Sequence, residues 1–215
     1  RYNNNDNIKD DDVLIELKDV RKQFGSKKVL DGVSLKIRRG EAVGIIGPSG
    51  TGKSTVLRVM AGLLLPDSGD VIIRGKKREG LASDEKNPSL KVGMVFQSAA
   101  LFDSLTVGEN VGFRLYEHSS LPESEIRKIV GESLTAVGLA GSEDKYPAQL
   151  SGGMKKRAAL ARAIIKDDIV NKENMGSTTA ATGRIEEVVM YDEPTAGLDP
   201  AERHRFLNVL REVGT

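Results

Sequence analysis

Along the first half of the chain, apolar positions come in short clusters broken by turn residues. From Val13 the sequence reads VLIEL, VLDGVSLKI, EAVGIIG, DVIIRG and KVGMVFQ, rich in Val and Ile and bounded by Gly or Asp. Branched side chains suit the pleated, half-buried surface of a sheet, so each run predicts a strand. The run over 41–47 passes into a glycine loop and then into KSTVLRVMAGLL, where Val56, Leu57, Met60, Leu63 and Leu64 recur at three- and four-residue steps. That order predicts strand, loop and helix in succession.

From about Ser98 to Ile165 the texture becomes helical. Pro122 suits the first turn of a helix, and Ile126, Ile129, Val130, Leu134 and Val137 follow at helical spacing. A helical subdomain over about 98–160 is therefore expected to interrupt the sheet. After it, EEVVMYDEP is a near-continuous apolar run ending in two carboxylates. This predicts a parallel strand buried on both faces, with a site at its C-terminal edge. Two stretches fit no packed element: the polar tail over 1–12, and a segment over about 166–187 rich in Ser, Thr and Gly, expected to be a flexible surface excursion.

With 215 residues the chain can bury one sizeable core, so 13–215 is expected to be a single domain with an insertion. A hydrophobic fraction of 39%, 29% charged residues and a net charge of +1 describe an ordinary globular protein without a strong pull toward nucleic acid or acidic lipid. Zero Cys excludes disulfides, thiolate chemistry and zinc-cysteine sites. The longest apolar runs fall far short of the roughly 20 residues that a membrane helix needs, so a membrane role would require a partner. The start at Arg1, polar and without an apolar core, does not read as a secretory signal.

The chemistry begins at Gly47. GPSGTGKS, Gly47 to Ser54, fits the P-loop pattern G-x-x-x-x-G-K-[ST]. Gly47, Gly50 and Gly52 let backbone amides wrap a phosphate chain; Lys53 reaches the terminal phosphates, and Ser54 offers a hydroxyl to Mg²⁺. If the sheet is doubly wound, Asp192 and Glu193 come to lie beside that loop. Asp192 then holds Mg²⁺ through water, and Glu193 polarises the water that attacks the γ-phosphate. Gln97, closing KVGMVFQ, is a candidate for touching the metal or that water.

A second helix start lies at QLSGGMKKRAALARAII, 149–165. Ser151 is a good N-cap, and Gly152 and Gly153 permit close backbone approach. Lys155, Lys156 and Arg157 follow in the first turns, where cations oppose the helix dipole unless an anion docks there. The bland alternative is a solvated basic face.

Together these motifs resemble the nucleotide-binding domain of ABC transporters over nearly the whole chain from Val13. Walker A falls at 47–55, including Pro48, Ser49, Thr51 and Thr55; Gln97 matches the Q-loop, LSGGM at 150–154 the signature, VVMYDEP the Walker B strand and AGLDP at 196–200 the D-loop. The resemblance implies an α/β P-loop NTPase with a parallel core sheet, an antiparallel N-terminal β subdomain and an inserted helical subdomain. It implies ATP and Mg²⁺ as ligands, with Lys53, Gln97 and Glu193 as catalytic residues and Ser54, Gln97 and Asp192 at the metal. It matches Phe24 to the aromatic that stacks on adenine, a core position being the alternative. It also implies a head-to-tail homodimer in which Ser151, Gly152 and Gly153 grip the γ-phosphate of the partner's nucleotide and Asp199 reaches across.

Within that family, FQSAALFDSLTVGENVGFRLYEH and the Met154 signature resemble the ATPases of bacterial Mla systems and of the chloroplast trigalactosyldiacylglycerol importer. This implies a lipid-moving complex with a membrane permease and an MCE-type lipid-binding protein, and no nucleic-acid partner. The permease would dock on the apolar segment at Ala99, Leu101 and Phe102. The stromal side of the chloroplast inner envelope is the favoured location, the cytoplasmic face of a bacterial inner membrane the alternative. Two departures stand out: the long insertion before Walker B, and the absence of a switch histidine after the D-loop, since His204 comes too soon and His118 lies in the helical part. The second suggests a C-terminally truncated chain that binds ATP better than it hydrolyses it. The alternatives are an ATP-dependent dimerising module with little turnover, and a non-transport ATPase acting on DNA or ribosomes, for which neither heptads nor a second P-loop is present.

Overall fold

The computed structural model describes residues 12–84, 89–165 and 186–213. The polar tail expected over 1–12 lies outside them except for Asp12, and the excursion expected over about 166–187 lies outside them except for Glu186 and Glu187, which belong to a strand. The chain divides into two compact units, one running to Val92 and including Glu186–Val188, the other formed by Gly93–Ile185 and Val189–Thr215.

In the first unit, β1 (Val13–Phe24) and β2 (Lys27–Arg38) form a long antiparallel hairpin, closed by a tight turn at Gly25, whose φ is +57°. β1 also pairs with β3 (Ser68–Ile73), which pairs with the short β4 (Lys76–Lys77), so the sheet order is β2-β1-β3-β4. Ile15, Leu17 and Val20 point inward at no more than 1% exposure. The three-residue step from Leu17 to Val20 breaks the strand period of two. A bulge makes up the difference: the register shifts there and Asp19 takes a φ of +47°. Against this core, α1 (Lys53–Met60) buries Val56, Val59 and Met60. At about 1.5–3 kcal/mol for each large buried apolar side chain, such burial is what holds the unit together.

The apolar period in KSTVLRVMAGLL runs past the end of α1. Gly62, at φ +73°, stops the helix: its N–H donates to Val59 O at 3.1 Å, and Leu63 N–H to Arg58 O at 2.9 Å. Leu63 is left 51% exposed. The strand expected over 41–47 is not formed either; it pairs with no strand among the described residues, and Ile46 is 97% exposed. An apolar run states that a segment suits a sheet, but not which edge will receive it.

The second sheet consists of β5 (Leu90–Val95) and β6 (Glu186–Tyr191), a parallel pair. Burial on both faces was expected for β6, yet only Met190 within it is buried, because β5 is its one neighbour among the described residues.

In the second unit, α2 (Val107–His118), α3 (Glu123–Ala136) and α5 (Pro200–Val213) pack around α4 (Gly152–Ile164). The alanines at 158, 159, 161 and 163 bring neighbours close on several sides of α4, while Val111, Leu115, Val130, Leu134, Leu160 and Phe206 fill the core. The helical reading holds for three segments here, but 98–106 is a loop. α2 starts only at Val107, where Thr106 and Glu109 form a reciprocal capping box.

Candidate functional site

The glycine loop lies in the first unit. Gly52 caps α1 with a φ of +96° and, as a glycine, brings no side-chain cap to the helix start. A Cβ on Gly52 would lie 2.9 Å from Val29 O, so glycine is required there both by conformation and by space. Thr51 Oγ1 donates to Pro48 O at 2.9 Å, tightening the loop. The Lys53 ammonium folds back onto the loop, donating to Gly47 O at 2.9 Å and Pro48 O at 2.8 Å. Ser54 and Thr55 follow on the first turn of α1, half-buried, while Gly47, Pro48, Ser49 and Gly50 are exposed. A helix start without a side-chain cap, next to a stationed ammonium, is an anion seat. Phe24 ends β1 in the same unit and is 50% exposed, so it is no core residue. The Lys22 ammonium stands 5.7 Å from its ring centroid and is itself paired with Asp67 at 2.6 Å.

The second unit carries the other candidates. β5 ends at Val95, and Gln97 lies exposed in the turn beyond it. The N–H of Asp192, just past the end of β6, donates to Val95 O at 2.9 Å, and Asp192 is buried at 5% exposure. Glu193 is exposed and has a φ of +48°, a region that non-glycine residues seldom occupy. Ser151 accepts from Met154 N–H at 3.2 Å and so caps α4, leaving Gly152 exposed and Gly153 buried.

The basic residues after this cap do not form a solvated face. Lys156 is 6% exposed and donates to Ala196 O at 2.6 Å; burial holds its pKa below the ordinary lysine value, against the opposing charge of Glu193. Arg157 pairs with Glu202 at 2.7 Å. The anion that offsets Arg157 therefore comes from α5 of the same chain, while Lys156 is met by a loop carbonyl just before that helix. Asp199, expected to reach across an interface, caps α5 by accepting from Glu202 N–H at 2.9 Å.

The expected docking segment is also redistributed. Ala99 is buried at 2%, Leu101 packs partly on the core, and Phe102 remains 48% exposed. A left-handed turn at 99–100 tucks the Ala99 methyl inward. Phe102 instead groups with Phe113, its ring centroid 5.1 Å away, and both lie among the exposed aromatics with Tyr116.

Sequence reading does not find Glu202, Asn110 or Arg162. Only the T-x-x-E box before Asn110 carries a local signal; the other two act through contacts distant in sequence. Among the described residues no group of three or more His, Cys, Asp or Glu gathers as a metal cluster, and no helix is long and apolar enough to cross a membrane.

A family model described as ABC transporter matches residues 30–170. The chain is 58% identical over 204 residues to Protein TRIGALACTOSYLDIACYLGLYCEROL 3, chloroplastic, of Arabidopsis thaliana, covering 95% of this chain and 56% of that protein. It is 41% identical over 202 residues to a probable ribonucleotide transport ATP-binding protein of Mycobacterium leprae, covering 94% and 53%. It is 37% identical over 201 residues to an intermembrane phospholipid transport system ATP-binding protein of Haemophilus influenzae, covering 93% and 69%. The chain thus spans about half the length of the first two relatives. Among solved structures it is similar to the dimeric post-hydrolysis state of an ATP-binding cassette bound to ADP and Pi, with a TM-score of 0.75 and 32% identity, covering 94% of this chain and 83% of that one.

Proposed function

The chain belongs to the ABC transporter family as an ATP-binding domain, and from that premise we propose that it hydrolyses ATP to drive lipid movement between membranes through a separate permease. The observation that carries the ATP reading is the start of α1: Gly52 at positive φ, no side-chain cap, and the Lys53 ammonium on the loop carbonyls. An entering triphosphate offers Lys53 stronger, charged acceptors than those two carbonyls. Residues Gly47–Thr55 form the cradle and Phe24 offers an exposed ring to the base.

Ser54, Gln97 and Asp192 supply hydroxyl, amide and carboxylate oxygens, the hard donors that suit Mg²⁺. The metal, when bound, neutralises charge on the phosphates. Glu193 takes the proton of the attacking water, and Gln97 orients that water. A second copy, packed head to tail, contributes the cap of its α4: Ser151, Gly152 and Gly153 face the γ-phosphate, and Asp199 lies at the same interface. The helical segment 98–160 serves as a subdomain within the single 13–215 domain. Its exposed Phe102, with Phe113 and Tyr116, receives the permease, and an MCE-type protein holds the lipid.

The lipid reading is supported by the names of the Arabidopsis and Haemophilus relatives, and the first of these, named as chloroplastic, supports a chloroplast location, within which the stromal side of the inner envelope is the position proposed. Co-purification of the chain with its permease, followed by mass spectrometry of the bound cargo, tests it. Phospholipid or galactolipid at the complex is the expected result. A ribonucleotide instead, as the name of the Mycobacterium relative would have it, overturns the lipid assignment and leaves the ATPase assignment to turnover measurements.

A further inference from the structure

Between Gln97 and α2 the backbone adopts a conformation that its residues do not favour. Ala99 and Ala100 have φ values of +65° and +49°, a region where a Cβ crowds the following carbonyl and where glycine alone is at ease. Local sequence therefore does not explain the turn. Two side chains do. From the last turns of α4, Arg162 donates through Nη1 to Ala100 O at 2.8 Å and through Nη2 to Ala99 O at 3.1 Å. From the first turn of α2, the fully buried Asn110 accepts from Phe102 N–H at 2.7 Å and donates to the carbonyls of Phe102, Leu105 and Thr106 at 3.0, 3.1 and 2.9 Å.

The two anchors divide the work. Asn110 ties the far end of the loop to the helix that directly follows it. Arg162 ties the near end, next to Gln97, to a helix some sixty positions later in the chain. A guanidinium is a rigid planar fork, so it can serve two successive carbonyls at once; a lysine ammonium is a point donor on a flexible stem. Arg162 is also partly buried, and burial holds its pKa below the ordinary arginine value. The same rigid helix begins at the Ser151 cap and the exposed backbone of Gly152.

We propose that Arg162 is a positioning residue: its fork holds the Ala99–Ala100 turn left-handed and so couples the segment after Gln97 to the helix that starts at Ser151. The functional use of this coupling rests on the reading above, in which the two ends of that helix serve a docking segment and a partner's nucleotide.

Hydrogen exchange on the full chain tests the proposal, with Arg162→Ala, Arg162→Lys, Ala100→Gly and the Arg162→Ala/Ala100→Gly double variant. Loss of the fork should speed exchange of amides over 98–106 by about tenfold, in Arg162→Lys as well as Arg162→Ala. Ala100→Gly should leave protection unchanged in the native background. In the Arg162→Ala background it should recover about half of the loss or more, because glycine holds a positive φ unaided. Simple packing by Arg162 predicts no such rescue. Unchanged protection in Arg162→Ala, or strictly additive losses in the double variant, overturns the proposal. A second arm measures ATP-promoted dimerisation by sedimentation, where Arg162→Ala should weaken dimerisation by about threefold or more while leaving binding of a fluorescent ATP analogue unchanged. If the unmodified chain does not dimerise with ATP, the two-copy reading fails, and the exchange cycle still decides Arg162 by itself.

Discussion

The guanidinium of Arg157 meets the carboxylate of Glu202 at 2.7 Å, with 4% of the arginine side chain and 21% of the glutamate side chain exposed. The same carboxylate fills the space beside Gly153, where a Cβ would lie within overlap distance of Glu202 Oε2. One ion pair thus links the helix that starts at Ser151 to the helix that follows the D-loop. Glu202→Ala leaves a buried cation unpaired and should cost about 2–4 kcal/mol in urea denaturation. Gly153→Ala should approach that loss, because its methyl displaces the carboxylate from Arg157. A loss within about 0.5 kcal/mol for both, the range of ordinary surface substitutions, would mean that the pair does not hold the two helices.

Gly69 offers a test of the first unit. Its φ is +87°, and a Cβ there would overlap Asp19 O, a backbone atom at the bulge of β1. Neither β3 nor the bulge of β1 can yield without disturbing their pairing. Gly69→Ala should therefore destabilise by about 2–4 kcal/mol in urea denaturation, from the sum of φ strain and overlap. Gly75→Ala serves as control: its φ of +76° is similar, but its Cβ would meet nothing within 4 Å. It should lose about 1–2 kcal/mol, the cost of conformation without overlap.

Glu109 brings a pH dependence. Its carboxylate accepts from Thr106 N–H at 2.6 Å, and that hydrogen bond, with a smaller one from the Thr106 side chain, holds its pKa below the ordinary glutamate value. The unfolded chain therefore binds the proton more tightly than the folded one. The stabilisation is complete above the unfolded pKa and is lost as pH falls through the lower folded value. The stability gap between the native chain and Glu109→Gln should be widest near neutral pH and close in acid. A gap that is constant with pH would assign the cap to geometry rather than charge.

Turnover tests the chemistry proposed for the exposed Glu193. Glu193→Gln should lower the ATPase kcat by about 10²–10⁴-fold, the range for loss of a general base, with nucleotide affinity retained. Lys53→Ala should instead lose affinity for the triphosphate. Unchanged turnover in Glu193→Gln would remove it as the working base.

Much of the chain's organisation is legible in the sequence. The alternation of Val and Ile finds the long hairpin and β3, the three- and four-residue steps find α1, α3 and α4, and the order of five short motifs finds the family. These signals are local: a strand's period, a cap residue or a glycine demanded by φ is written within a few positions. The end of α1 is not legible in the same way, because the apolar spacing continues beyond Gly62, and backbone conformation rather than hydrophobicity stops the helix.

Tertiary structure decided what spacing leaves open. Lys156 and Arg157 read as cations awaiting an anion until their partners, Ala196 O and Glu202, came from residues about forty positions away. Ala99 and Phe102 look equally available in sequence, yet a left-handed turn held by Arg162 buries the first and leaves the second exposed. The sequence by itself determined most of the elements and the family, because those follow from short-range sterics and periodicity, while the run over 41–47 shows that an apolar stretch alone does not secure a strand. Which charges are satisfied, and which apolar residues face solvent, was decided only when distant segments met, because desolvation depends on every neighbour at once.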